Sequence, residues 1–266
     1  MLEGKTDMVR LYGNTPYTAV LVHGGPGAIG SLKRFAEELS EAFNIGVVEA
    51  IQSKYTIAEL VEELHNQIYD NCSWPVALIG HSWGAWLVSL YAEKHPEMVD
   101  NIILVGSGPL EDKYVAEIGL RRSQNLSDED AEIFYRLIHN QATDADMERI
   151  PAVFEKSDNY CLVNRELHRA DRTDSEMHNA IWSEAAKFRT SGELLALFKR
   201  IQSKIYLIQG ELDPHPAQGV IIPLQECGVH CESYVLEKCG HSPFMEKYAK
   251  DEFYSILKRI FSETAT

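Results

Sequence analysis

The chain has 266 residues, 45% of them hydrophobic, and a net charge of −15. That length can bury a substantial core, and the acidity disfavours nucleic acid and anionic membrane as partners. The opening stretch MLEGKTDMVR lacks the apolar segment of a secretory signal, and no apolar run reaches the roughly 18 residues of a membrane span. Five cysteines in this length suit free thiols in a reducing cytoplasm better than a disulfide framework, so a cytoplasmic protein is expected.

Along the chain, YTAVLVHGG reads as a buried strand that ends in glycines. SLKRFAEELSEAF places Leu32, Phe35, Leu39 and Phe43 at helical spacing, and NIGVVEA reads as a short strand. TIAELVEELHNQIYD is again helical, with Ile57, Leu60, Val61, Leu64 and Ile68 on one face. PVALIG, AWLVSLYAEKH and NIILVGS continue as strand, helix and strand. Short apolar runs alternating with amphipathic helices predict an α/β fold, a mostly parallel sheet with helices on both faces. From about residue 109 the text becomes helical without strands, in LSDEDAEIFYRLIHNQ and TDSEMHNAIWSEAAKF. The second is expected to open with a capping box, Thr173 at the cap and Glu176 three residues on. Strands return in KIYLIQG and CESYVLEKCG, and DEFYSILKRIF closes the chain as a helix. The expected organisation is an α/β core of residues 1–108 and 196–266, interrupted by a helical cap over residues 109–195. The cap is expected over the carboxyl edge of the sheet, where such sheets bind ligands.

The stretch GHSWG, Gly80 to Gly84, lies where a predicted strand meets a predicted helix. Gly-x-Ser-x-Gly at that junction is the nucleophile elbow, in which a strained turn lifts the serine clear of the backbone at a helix N-terminus. Ser82 is therefore the candidate nucleophile, and it requires a base and an orienting acid. The order in this fold is Ser, acid, His, with the last two after late strands. Asp213 follows KIYLIQG, and His241 follows CESYVLEKCG. Glu211, close by, and Asp112, after an earlier strand, are the alternative acids. The glycine turn HGGPG, from His23 to Gly27, follows the first apolar strand. It suggests an oxyanion hole formed by the backbone N–H groups of Gly25 and Trp83.

With these residues in place the chain resembles the α/β-hydrolase superfamily over nearly its whole length, with a helical cap inserted after NIILVGSGPL. HGGPG together with SWG is most similar to the proline iminopeptidase group. That resemblance implies release of an N-terminal residue from small peptides, with cap carboxylates holding the free amine. His81 stands where that group usually has a second glycine, and GHSWG is equally common in esterases and C–C bond hydrolases. The loop after NIGVVEA also lacks that group's Asp-Gln-x-Gly-x-Gly-x-Ser run and passes straight into IQSKYTIAEL.

The expected function is hydrolysis of a small ester or amide through an acyl-enzyme on Ser82. Within that reading a proline iminopeptidase-like aminopeptidase is slightly favoured, because HGGPG and SWG occur together; the alternatives are a carboxylesterase or C–C bond hydrolase of the same fold, and a small-ligand sensor with slow or no turnover. Glu166, Glu176 and Trp182 are candidate substrate contacts, and Asp158, Tyr160 and Glu184 lie in the same cap stretch. No cofactor and no metal are expected. Cys227, His230, Cys231 and Cys239 are near in sequence, but the predicted strand and the loop before His241 should separate them. The expected partner is a small molecule or short peptide.

Overall fold

A computed structural model describes residues 9–139, 141–163 and 169–264. The first half contains β1 (Val9–Tyr12), β2 (Tyr17–Val22), β3 (Ala28–Ile29), α1 (Lys33–Phe43), β4 (Gly46–Ala50) and α2 (Ile57–Asn71). It continues with β5 (Val76–His81), α3 (Trp83–Lys94) and β6 (Val99–Val105). Helices follow: α4 (Val115–Gln124), α5 (Asp128–Ile138) and α6 (Asp144–Asp158). After β7 (Arg172–Thr173) come α7 (Ser175–Thr190) and α8 (Glu193–Phe198). The chain ends with β8 (Lys204–Gly210), α9 (Gln218–Glu226), β9 (Glu232–Leu236) and α10 (Lys250–Thr264).

Seven strands form one sheet in the order β1-β4-β2-β5-β6-β8-β9. β1 pairs antiparallel with β4, and every other neighbouring pair is parallel. The strands feed both faces. Val20, Leu78, Ile102, Leu104 and Leu207 enter one buried cluster with α2, α3, α7 and α8. Leu21, Ile79, Ile103, Val105 and Ile208 enter the other with α1 and α10. Successive residues of a strand point to opposite faces, so a sheet covered on both sides needs the continuous apolar runs seen in the sequence.

The register aligns the ends of the central strands. Val22 pairs with Gly80, His81 with Val105, Val105 with Ile208, and Gly210 with Leu236. The loops that carry Gly25, Ser82, Asp213 and His241 therefore leave the same carboxyl edge.

β6 and β8 are adjacent, and the helices α4 to α8 lie between them in the chain. α5 and α6 have a small core of their own, Ile133, Phe134 and Val153. α7 and α8 instead bury Met177, Ile181, Ala185, Leu194 and Leu197 in the main cluster. The capping box expected at Thr173 and Glu176 does not form, and the helix starts one residue later with a single side-chain cap. Asp174 caps α7, accepting from the backbone N–H of Met177 at 2.9 Å. An aspartate reaches this donor better than the β-branched threonine before it, which is in β7. α6 was hidden in the sequence by the interior Pro151, although Thr143 and Asp146 form a capping box at its start.

Leu78 is fully buried at the centre of β5. Leu78→Ala is expected to lower the unfolding free energy by about 2–5 kcal/mol, read by urea denaturation.

Candidate active site

Ser82 separates the last residue of β5 from the first of α3 and has φ 56° and ψ −119°. A serine in that region stores on the order of 1–3 kcal/mol of strain, which the surroundings must impose. They do so by close packing. A Cβ on Gly84 would lie 2.1 Å from the Val22 carbonyl oxygen, and one on Gly80 would lie 2.3 Å from that of Gly84. The Ser82 N–H donates to the Val105 carbonyl at 2.8 Å, tying the turn to β6.

Asp213 lies beyond β8 and is fully buried. His241 lies beyond β9, and its Nδ1 is 2.9 Å from Asp213 Oδ2 and 3.1 Å from Oδ1. The same carboxylate accepts from Gln209 Nε2 at 2.7 Å and from the backbone N–H of His215 at 2.8 Å. His215 Nδ1 also lies 3.0 Å from Oδ1. Burial opposes the charge on Asp213, but the two imidazoles outweigh it and hold its pKa well below the usual carboxylate range. Burial likewise opposes the imidazolium of His241. The Asp213 carboxylate more than offsets this and raises the His241 pKa above its ordinary value. His215 is shifted down, chiefly by burial. His81, half-buried with its ring centre 4.9 Å from that of His241, is pushed down to about 3, chiefly by desolvation.

The alternative acids are placed elsewhere. Asp112 accepts from Arg189 Nε and Thr190 Oγ1, each at 2.7 Å, and Glu211 is exposed. Ser82 and His241 line one cavity of about 580 Å³, together with Gly25 and Trp83. Trp83 is in the first turn of α3, where backbone N–H groups have no partner within the helix. Gly25 has φ +41°, a left-handed conformation that glycine adopts without penalty.

The same cavity is lined by Arg122 of α4, Phe154 and Asp158 of α6, and Trp182 of α7. Arg122 grips Asp158 with both arms of its guanidinium, Nε to Oδ1 at 2.7 Å and Nη2 to Oδ2 at 2.8 Å. Its guanidinium also lies 4.9 Å from the Phe154 ring centre. Trp182 stacks on Trp86 at 5.8 Å. Of the three expected substrate contacts, Trp182 is at the cavity. Glu176 is not: it is exposed, because Met177, Ile181 and Ala185 set the buried face of α7 and turn Glu176 to solvent. Glu166 lies outside the described residues. Tyr160 is exposed, and Glu184 accepts from the Ile57 N–H at 2.9 Å, at the start of α2.

Several supports were not read from the sequence. Gln209 orients Asp213, and its Oε1 accepts from the Ser107 N–H at 2.9 Å. Glu246, fully buried, accepts from the backbone N–H groups of Tyr160, Cys161 and Gly240 at 2.7, 2.6 and 2.9 Å. The one hint in the sequence was an acidic residue inside the apolar segment SPFMEKYA. All five cysteines are free. Among the described residues, the group with ligand atoms close enough for a metal is Asp213, His215 and His241, whose closeness is that of the hydrogen bonds above.

Residues 19–248 match the family described as the alpha/beta hydrolase fold, and the chain belongs to that family. Its fold is similar to that of VinJ, with a TM-score of 0.71 at 17% identity over 96% of this chain and 94% of that one. It is also similar to proline iminopeptidase from Mycobacterium smegmatis, with a TM-score of 0.68 at 17% identity over 96% and 94% of the two chains. A carboxylesterase structure from the thaumarchaeon Nitrososphaera gargenis gives 0.66 at 20% identity over 97% and 94%. At these identities the likeness is one of fold. Among the described residues, no helix is long and apolar enough to cross a membrane.

A base at His241 must be neutral to accept a proton, and its pKa is raised. The value of kcat/KM for any substrate turned over here is therefore expected to fall as pH drops. The midpoint should lie above the ordinary imidazole value of about 6.5, in a pH–rate profile.

Proposed function

We propose that the protein is a serine hydrolase of small carboxylic esters. His241 Nε2 takes the proton of Ser82 Oγ as that oxygen attacks the ester carbonyl carbon. The N–H groups of Gly25 and Trp83 receive the charge that develops on the carbonyl oxygen. The C–O bond of the ester breaks, the proton passes from His241 to the leaving alkoxide, and an acyl-enzyme remains. Water then repeats the sequence, giving its proton to His241, and the carboxylic acid leaves. Asp213 holds the imidazole in one orientation and stabilises the imidazolium in both steps.

The observation that carries this reading is the 2.9 Å contact from His241 Nδ1 to Asp213, with Ser82 on a strained turn in the same cavity. The preference for esters over peptides with a free amine comes from the part of the cavity lined by the helices between β6 and β8. Asp158 is the carboxylate of that part among the described residues, and Arg122 already neutralises it. The rest of that part is largely aromatic, Phe154 and Trp182, which favours a neutral and mostly apolar substrate. A cytoplasmic setting belongs to the same proposal, supported by the free thiols.

Ser82→Ala is expected to remove about a million-fold of the turnover of a p-nitrophenyl ester. A fluorophosphonate should label the wild type at Ser82 and leave the mutant unlabelled. Asp213→Asn should cost about 10⁴-fold while the far-ultraviolet circular dichroism stays the same. In a panel of substrates, short acyl esters should exceed aminoacyl arylamides, and free and N-acetylated prolyl arylamides should be equally poor. A strong preference for the free amine would reverse the choice of substrate and leave the serine mechanism standing. Acylation at Ser82 with no steady turnover would point to a sensor.

A further inference from the structure

Gln52, just beyond β4, is 2% exposed and has both ends of its carboxamide engaged. Its Nε2–H donates to the main-chain oxygen of His23 at 2.8 Å. Its Oε1 accepts from the indole Nε1–H of Trp83 at 3.0 Å. The two partners lie in different segments of the site. His23 opens the glycine turn that presents the Gly25 N–H, and Trp83 contributes its own backbone N–H. One side chain thus spans the two segments that carry the oxyanion donors.

The glycine turn has little slack on the serine side. A Cβ on Gly24 would lie 2.6 Å from Ser82 Cβ and 2.8 Å from the His81 carbonyl oxygen. Its far half is fixed by β3, which pairs with β7, and by the Asp174 N–H bonded to the Gly27 carbonyl at 3.1 Å. Its near half depends on His23, whose ring is fully buried with Nδ1 2.9 Å from the Gly24 oxygen. Beside this close packing, Gln52 is a side chain that hydrogen-bonds the near half to the Trp83 side of the site.

We propose that Gln52 is a positioning residue that fixes the separation and orientation of the two oxyanion donors, Gly25 N–H and Trp83 N–H. It touches no reacting atom and acts through the His23 carbonyl and the Trp83 indole. The inference rests on the serine hydrolase reading. Preorganised donors are effective because they are already aimed at the position the oxyanion will take, so a shift of the pair lowers the rate without moving the base.

Two variants test this. Gln52→Met keeps the length and burial but removes both hydrogen bonds. Trp83→Phe removes the indole N–H together with the five-membered ring and keeps the backbone donor. Each is expected to lower kcat/KM for a p-nitrophenyl ester about ten- to a hundredfold, less than the 10²–10³-fold lost with a whole donor. The inhibition constant of an aryl trifluoromethyl ketone should rise by a matching factor, because its serine adduct places an oxyanion in the same hole. The pH midpoint should not move, since the Asp213–His241 contact is untouched. Wild-type kcat/KM in Gln52→Met overturns the inference, as does a slower enzyme with unchanged ketone affinity. Should Gln52→Met fail to fold, Trp83→Phe decides alone by the same two readings. A wild type that a fluorophosphonate does not label at Ser82 would remove the hydrolase reading and this inference together. A labelled wild type with an unaffected Gln52→Met removes only the inference.

Discussion

The site depends on a carboxylate buried without access to water. Asp213 is fully enclosed, and an isolated charge in that position would cost several kcal/mol. It is charged because donors converge on it from three directions: Gln209 on β8, the turn at His215, and His241 from the loop after β9. Satisfying the charge therefore fixes the geometry of the His241 imidazole. The His241 Nδ1 is committed to Asp213, which leaves Nε2 as the ring nitrogen for chemistry. The second imidazole sharpens the choice. His215 and His241 lie with ring centres 4.6 Å apart on the same carboxylate. Two imidazolium ions at that distance would repel, and burial shifts His215 toward its neutral form. A proton taken up by the pair therefore goes to His241 rather than His215.

The helical excursion is fastened to the same loops. The His241 N–H donates to the Asp158 carbonyl at 2.7 Å, so the end of α6 holds the backbone of the base. Glu246 gathers N–H groups from Gly240 on one side and from Tyr160 and Cys161 on the other. Leu162 bridges to Glu246, and β7 pairs with β3 beside the glycine turn. Two segments of the excursion are thus bonded to two of the catalytic loops. A displacement of the excursion would therefore bear on the backbone at His241 and on the glycine turn at Gly25.

What could be read from the sequence was what is local or ordered by the fold. The elbow at Ser82 shows itself because its strand, turn and helix are continuous in the chain, although the contact that forces Gly84, with the Val22 carbonyl, comes from the neighbouring strand. Asp213 and His241 were legible because a parallel sheet places the ends of late strands beside the elbow, whatever the loops contain. The supports were not legible because their partners are remote: Gln52 from His23 by 29 residues, Arg122 from Asp158 by 36, and Glu246 from Tyr160 by 86. Nothing in the text around a glutamine announces such a partner. Glu176 was misplaced for a different reason. The acidic residues of α7 are plain in the sequence, but the phase of the helix is set by which apolar residues meet α2 and α3, and that is a tertiary fact.

The pairing of Arg122 with Asp158 bears on substrate more than any motif does. The chain as a whole carries an excess of 15 negative charges, yet this part of the cavity has one carboxylate and one guanidinium in bidentate contact. An ammonium group entering to use Asp158 would have to share it with Arg122, and charge-assisted hydrogen bonds of this kind contribute about 1.5–3 kcal/mol each. It would also place its own charge beside the guanidinium. A neutral ester meets neither cost. Its apolar portion can lie against Phe154 and Trp182, while the guanidinium, backed by Phe154, stays bound to its carboxylate. The sequence features that resemble an aminopeptidase, HGGPG and SWG, are in the turns around Ser82 and describe how an oxyanion is held. In the ester hydrolase we propose, substrate is selected by the side chains around Arg122 and Asp158, and there the charges are already balanced.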